Sequence, residues 1–143
     1  MKLELLTLCD YAKAEATGKL YIIGAFDHIY ANQAPVPAPP CAIASRLRFE
    51  ASEQGPKGLA ISFVDSDGVK MMPDATVQMT IQVPTGESTA AANVVLTIPQ
   101  LNLPRFGEYA IDLTVDSRLE GSIPLYVHRA AQANPSGRPV PGS

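Results

Sequence analysis

A chain of 143 residues has room for one domain with a hydrophobic core and too little for two comfortable ones. Its net charge of −3 and its charged fraction of 17% give no reason to expect a nucleic acid or an anionic membrane surface as partner. No apolar run approaches the roughly 20 residues that a membrane-spanning helix needs. Glu4 and Asp10 break the apolar N-terminal patch, so it is not interpreted as a signal peptide. We therefore expect a cytoplasmic protein with Cys9 and Cys41 reduced.

The first elements are predicted to be strands and a stiff connection. Residues 3–11 are a short apolar segment, and residues 19–30 are rich in β-forming residues, with Gly24 indicating a bulge or a close backbone approach. Residues 34–40 contain four prolines, which lack amide donors, so they are predicted to be an unpaired, polyproline-like connection between sheets. A ligand for a proline-recognition groove is the alternative, but no arginine or lysine lies close enough to orient it.

The middle of the chain is predicted to contain four more strands. In residues 43–49 the apolar residues alternate with polar ones, which places two arginines side by side on the solvent face. Residues 59–63 form the next strand and lead into an Asp-Gly turn at residues 65–68. Residues 76–83 show the cleanest alternation of the chain, and residues 92–98 add another strand.

The last two strands are predicted to form an antiparallel hairpin. Tyr109, Ile111, Leu113 and Val115 share one apolar face, and the polar turn at residues 116–118 separates them from a second alternating run that ends near residue 127. This second run carries Pro124 in its interior. Since proline has no amide to donate, the strand is predicted to lie at or near a sheet edge, or to contain a bulge there.

These patterns divide the chain into a folded part and a tail. Residues 1–129 are predicted to form one β-sandwich domain. Residues 130–143 are rich in proline, glycine and serine and lack periodicity, so we expect a disordered tail. The predicted fold is all-β, a single antiparallel β-sandwich of seven or eight strands with immunoglobulin-like architecture.

Two resemblances accompany this prediction. Gly107-Glu108-Tyr109 resembles the Gly-x-Tyr corner of immunoglobulin-like domains, in which the tyrosine hydroxyl bonds back to nearby backbone. The antibody type is excluded, because Ile111 stands where such domains carry their second core cysteine and the chain has no tryptophan.

Over most of residues 3–128 the chain also resembles a family of short uncharacterised bacterial proteins. The resemblance rests on Asp10-Tyr11, on residues 18–26, on Asp65-x-Asp67-Gly68 and on Phe106-Gly107-x-Tyr109. It implies a β-sandwich of immunoglobulin-like architecture and brings no activity.

Catalytic chemistry finds little support in the sequence. Cys9, His28 and Asp10 could assemble as nucleophile, base and orienting group, but nothing in their spacing requires it. A cysteine in an apolar strand is usually a buried, inert thiol. The two cysteines and two histidines also lack the spacing of a zinc site. We predict a protein that is not an enzyme and uses no cofactor.

The best metal candidate is a set of aspartates, Asp65, Asp67 and Asp74, because calcium prefers several carboxylate and carbonyl oxygens on a loop. A polar hairpin turn explains the same residues, and position 76 is threonine where an EF-hand would have its last glutamate. Calcium or small-ligand binding by the loops of residues 65–74 is therefore kept as the alternative function.

The preferred interpretation is a non-catalytic interaction or structural module that binds a macromolecular partner or itself. Residues 76–83 carry no charge, so another sheet could cover them at little desolvation cost. We expect a homo-oligomer, most simply a two-fold dimer. Its predicted interaction surface is the polar side of this strand: Thr76, Gln78, Thr80 and Gln82.

Overall fold

The computed structural model describes residues 1–130, which form eleven β-strands and one turn of 3-10 helix at Ala51–Glu53. The strands are β1 (Lys2–Ala14), β2 (Leu20–Phe26), β3 (His28–Ala31), β4 (Val36–Pro37), β5 (Cys41–Glu50), β6 (Gly55–Asp65), β7 (Ala75–Ile81), β8 (Thr89–Ile98), β9 (Asn102–Leu103), β10 (Gly107–Val115) and β11 (Arg118–Arg129). The prediction of an all-β chain is confirmed. The predicted count of seven or eight strands is too low.

The strands are arranged in two large sheets and one small one. The four-stranded sheet has the order β2-β1-β5-β8, and the five-stranded sheet has the order β3-β11-β10-β6-β7. The small sheet pairs β4 with β9. The expectation of purely antiparallel pairing is wrong for one pair, since β3 runs parallel to β11 from Tyr126 onward. Parallel neighbours need a long connection, and residues 32–117 separate these two strands.

The two large sheets share one core. Side chains from both sheets form a single buried cluster, as expected for sheets whose apolar faces point at each other. Its largest fully buried members are Tyr109, Phe49, Phe63, Leu8, Ile43, Leu47, Leu59, Leu103, Ile111, Leu113, Leu125 and Val127. At roughly 25 cal/mol per Å² of apolar surface, each buried Leu, Ile or Phe stabilises the fold by about 1.5–3 kcal/mol.

The hairpin of β10 and β11 is present as the sequence predicts. Val115 pairs with Arg118 across a two-residue turn, where Asp116 and Ser117 both have positive φ. This turn geometry matches the right-handed twist of the strands it joins. Tyr109 is buried, and its hydroxyl donates a 2.7 Å hydrogen bond to the main-chain oxygen of Arg105. The predicted tyrosine corner is therefore confirmed.

Pro124 lies in a part of β11 that has a neighbouring strand on one side only. β11 lies between β10 and β3 in strand order, but its pairing with β3 begins only at Tyr126. The Tyr126 amide donates to the Asp27 oxygen on the β3 side, and alternate residues of a strand direct their amides to the same side. The missing amide of Pro124 thus lies on the side of β11 where the strand has no neighbour at this point.

Residues 19–30 are two strands, where the sequence predicts one. The chain leaves the four-stranded sheet after Phe26 and enters the five-stranded sheet at His28, with Asp27 as the crossing residue. Gly24 has a φ of +70°, and a Cβ added there would collide with the Asp10 carboxylate. The predicted close approach at Gly24 is confirmed.

The proline-rich segment differs from its prediction at two residues. Val36 pairs with Leu103 and Pro37 with Asn102, so part of the connection is a short strand. This is possible because Val36 keeps its amide between two prolines, and its side chain is buried.

The predicted tail begins at residue 130, and residues 131–143 lie outside the described part of the chain. Ala130 itself still donates its amide to the main-chain oxygen of Ala31, at 2.7 Å.

Candidate functional site

The predicted interaction surface lies on an edge strand. β7 is the last strand of the five-stranded sheet and pairs only with β6, in an uninterrupted antiparallel register from Gly55↔Ile81 to Ile61↔Ala75. Met79 is partly buried and Ile81 is buried, as the alternation predicts, but Val77 on the same predicted face is exposed. The four polar side chains of the predicted surface are all exposed: Thr76, Gln78, Thr80 and Gln82.

An apolar cleft lies beside this edge. β8, which pairs only with β5, is the edge strand of the other large sheet and lies next to β7. The cleft between them has a volume of about 470 Å³ and is lined mainly by small and aliphatic side chains. Val77 is 37% exposed there. On this side of the molecule each large sheet ends in an uncharged edge strand, β7 or β8. The cleft between these two strands is open to solvent.

The Asp65 carboxylate accepts hydrogen bonds from the loop that follows it and has a structural role there. Its Oδ1 accepts hydrogen bonds of 2.9 Å from the amides of Asp67 and Val69, and its Oδ2 pairs with Arg105. The Val69 amide lowers the pKa of Asp65 most, and the Asp67 amide and the Arg105 guanidinium lower it further against the opposing effect of burial. Both carboxylate oxygens thus already have partners within the chain.

The other two aspartates of the calcium alternative do not complete a site. Asp74 accepts a 2.8 Å bond from the Lys70 ammonium, which lowers the pKa of Asp74 most, and the Ser62 hydroxyl adds to the effect. Its buried Oδ1 makes no hydrogen bond of good geometry with the described residues. Across residues 1–130, no three His, Cys, Asp or Glu side chains come together as a group that could hold a metal ion.

The hypothetical cysteine triad is not assembled around Cys9. The thiol is fully buried and lies 3.5 Å from the Ala42 carbonyl oxygen, to which it donates. Burial raises the pKa of Cys9, and it raises the pKa of Cys41 to about 11. Both cysteines are free thiols. Since the thiolate is the reactive form, neither side chain has the environment of an activated nucleophile.

His28 lies in a ring cluster that the sequence does not reveal. The cluster comprises His28, Tyr30, Tyr126 and His128 on the solvent face of the β3–β11 pair, because Leu125 and Val127 point into the core. His28 Nδ1 lies 2.9 Å from His128 Nε2. Their separation of 100 residues hides the pair from any local motif, and only the parallel register brings the two rings together.

Residues 1–130 contain no helix with the length and hydrophobicity that a bilayer crossing requires.

Comparison with solved structures gives two remote likenesses. The alkylpurine DNA glycosylase AlkC of Pseudomonas fluorescens, bound to DNA containing an abasic site analog, is 13% identical with a TM-score of 0.44. That match covers 88% of this chain, which spans only 30% of the glycosylase. An immunoglobulin-like protein from Pseudomonas aeruginosa is 12% identical with a TM-score of 0.33, over 88% of this chain and 94% of the other. Neither likeness is strong enough to carry an argument.

No curated protein matches the chain. A family model, in contrast, matches residues 4–128, which include all of β2–β10 and nearly all of β1 and β11. By that match the chain belongs to DUF6941, a family of unknown function.

Proposed function

We propose that this protein is a non-catalytic interaction module that associates with a second copy of itself through the free edge of β7. The observation that carries the proposal is an edge strand of seven residues without charge, proline or bulge. Natural proteins usually protect such an edge with charges, prolines or bulges, because it presents unpaired amides and carbonyls to other strands. An unprotected edge therefore suits a strand that is covered by a partner.

The architecture that we propose for this module is a single immunoglobulin-like β-sandwich. The support is the shared core of the two large sheets, together with the tyrosine corner at Tyr109. In such an arrangement the edge strands of both sheets border the same open side, and β7 and β8 do so here.

The other edges are less suited to pairing than β7. β8 is uncharged too, but Arg46 and Arg48 of β5 reach across to hydrogen-bond Asn93 and Thr89 on it. Asn93 also donates to the Gly18 oxygen, so the turn between β1 and β2 lies against this part of the sheet. The edge strand β3 has only four residues. The edge strand β2 is uncharged as well, but Gly24 with its positive φ interrupts the extended backbone in the middle of the strand. Among the described residues, β7 is the edge strand that combines this length with a regular backbone and no cross-strand side-chain contacts of this kind.

A second copy fits this edge by symmetry. Two β7 strands can pair antiparallel about a two-fold axis, which presents the same surface from both subunits. No like charges face each other, because residues 75–83 carry none. A stable interface buries roughly 1,200–2,000 Å², more than one edge strand supplies, so the dimer must also cover the apolar cleft between β7 and β8.

The absence of enzymatic activity and a cytoplasmic location complete the proposal. Cys9 is buried and its pKa is raised, and Asp65 is occupied by hydrogen bonds within its own loop. Free thiols at both cysteines suit a reducing compartment.

The test is light scattering on a size-exclusion column at micromolar concentration. We expect a dimer for the wild type and a monomer for the variant with Gln78→Lys and Thr80→Lys, because paired β7 strands bring the added charges together. The matched control, Gln33→Lys with Gln100→Lys, adds the same charge at exposed positions outside β7 and should remain dimeric. Added salt should not dissociate a contact without ion pairs.

A monomeric wild type rejects self-association. A dimer that persists in the β7 variant keeps the assembly but rejects this surface. The next surface to examine is then the exposed apolar patch on β1 and β2 at Tyr11, Tyr21 and Ile23.

A further inference from the structure

We propose that His28 and His128 bind a late divalent transition metal ion through their two imidazole nitrogens, with Cu²⁺ bound more tightly than Ni²⁺ or Zn²⁺. The site lies on the solvent face of the β3–β11 pair, at the opposite edge of the five-stranded sheet from β7. It is independent of the proposed dimer.

The two nitrogens are already close enough to share one ion. His28 Nδ1 and His128 Nε2 are 2.9 Å apart. Metal–nitrogen bonds of about 2.0–2.1 Å across that separation meet at about 90°. Neighbouring ligands in square-planar and octahedral complexes subtend this angle, and square-planar nitrogen sites are typical of Cu²⁺ and Ni²⁺. The rings must turn until both lone pairs meet at the ion, and His28, with 42% of its side chain exposed, has room to do so.

Asp27 favours the tautomer of His28 that ligation needs. Its Oδ1 lies 3.4 Å from His28 Nε2, the nitrogen that does not face His128. A carboxylate there holds a proton on Nε2 and leaves the lone pair on Nδ1. Metal-binding histidines usually have such a partner at the nitrogen remote from the ion. With that proton on Nε2, His28 Nδ1 is an acceptor, and the 2.9 Å contact is a hydrogen bond donated by His128 Nε2. Metal binding then requires the proton of His128 to move to Nδ1.

The neighbouring tyrosines stack against the two imidazole rings. The ring centroid of Tyr126 is 5.0 Å from that of His28, and the centroid of Tyr30 is 5.1 Å from that of His128. The parallel register places His28 beside Tyr126 and Tyr30 beside His128, so the four rings form a two-by-two array. Because this packing already restricts the rotamers of each histidine, less rotamer freedom is lost when a metal binds.

The affinity is limited by the number of ligands. The described residues offer no third His, Cys, Asp or Glu at this position, so water fills the remaining coordination sites. Among divalent ions, affinity for imidazole rises through Ni²⁺ to Cu²⁺ and then falls at Zn²⁺. We therefore expect the bound metal ion to exchange readily and the affinity to be highest for Cu²⁺.

The test is a titration of the full chain with Cu²⁺, followed by calorimetry and by electron paramagnetic resonance. We expect one Cu²⁺ per chain with two imidazole nitrogens in the wild type. His28→Phe and His128→Phe keep a ring in the array but remove a ligand, and each should weaken binding by more than the roughly 10–100-fold that loss of an outer partner costs. Asp27→Asn should weaken it less.

These two residues are the only histidines in the chain, so the double phenylalanine variant has no imidazole left. Unchanged melting temperatures of the metal-free variants show that they are folded. Gln33→Ala, an exposed polar position outside the array, serves as the control and should bind like the wild type. A wild type that binds no Cu²⁺ at 100 times the protein concentration overturns the proposal, and so does equal binding by the single variants.

Discussion

The two edges of the five-stranded sheet are built in opposite ways. β7 offers seven residues in regular register, without any charge. β3 offers four residues and displays histidine and tyrosine rings. It is followed by Asn32, whose main-chain oxygen accepts a hydrogen bond from the Arg129 guanidinium of β11. A protein that needed only to prevent aggregation would protect both edges. Under the proposed function, β7 is the edge that pairs with a second copy, whereas the β3 edge displays polar rings.

Both edges belong to a sheet whose central strand is β10. The largest expected effect on stability is that of a substitution at Ile111 on this strand. Ile111 is fully buried between the sheets. We expect Ile111→Ala to lower the free energy of unfolding by about 2–5 kcal/mol, since it empties a packed aliphatic site. The measurement is denaturant unfolding of the purified variant.

Thr114→Ala on the other face of β10 is the matched control. It should cost less than about 1 kcal/mol, because Thr114 lies on the face of the strand away from the core. Equal losses for the two variants would show that the assignment of core and solvent faces is wrong.

Asp65 holds the loop that leads from β6 to β7, and its contribution to stability is expected to depend on pH. The pKa of Asp65 is lower in the folded chain than its ordinary value of 3.8. Its contribution to stability is therefore complete above the unfolded pKa and is lost as the pH falls below about 4 toward the folded pKa. We expect Asp65→Asn to be less stable than the wild type at pH 7, with the difference shrinking in acid.

Thermal unfolding of both proteins between pH 7 and pH 2.5 measures this convergence. Asp67→Asn is the control, since the Asp67 carboxylate is exposed and only its amide serves the loop. A constant difference between wild type and Asp65→Asn at every pH would contradict the role given to the Asp65 carboxylate.

The smallest expected effect is that of calcium on the same loop. The oxygens of Asp65 and one oxygen of Asp74 already have partners, so we expect the same melting temperature in millimolar calcium and in EDTA. A ligand that binds only the folded state must raise the melting temperature as its concentration rises. A rise with calcium would restore the calcium-binding alternative and identify the buried Oδ1 of Asp74 as a ligand.

Alternation in the sequence predicted several of the strands and their core faces. It gave the face of β7, the hairpin of β10 and β11, and the buried positions of Tyr109 and Ile111, because a period of two reports directly on one-sided burial. It could not show that residues 19–30 divide between two sheets, since Asp27 is a single polar residue in a run of β-forming residues. The sequence predicted an uncharged interaction surface on β7 but not its edge position, which follows from the strand order.

The histidine pair could not be predicted for a different reason. Periodicity describes a strand and its faces but does not say which distant strand lies beside it. The rings of His28 and His128 meet only because β3 joins β11 in parallel, and no turn signal marks a parallel neighbour. The pairing of Val36 with Leu103 escaped prediction in the same way, because proline content argued against it and the partner is remote in the chain.

The parallel pairing also determines when this sheet can be completed. A contact between residues 28 and 128 closes a loop of a hundred residues, which costs more chain entropy than any hairpin of the fold. During synthesis β11 leaves the ribosome after the other strands described in residues 1–130, so β3 has no neighbour until residues 126–129 have been made. Addition of β3 to the five-stranded sheet must therefore wait for β11, and topologies dominated by such distant pairings fold slowly.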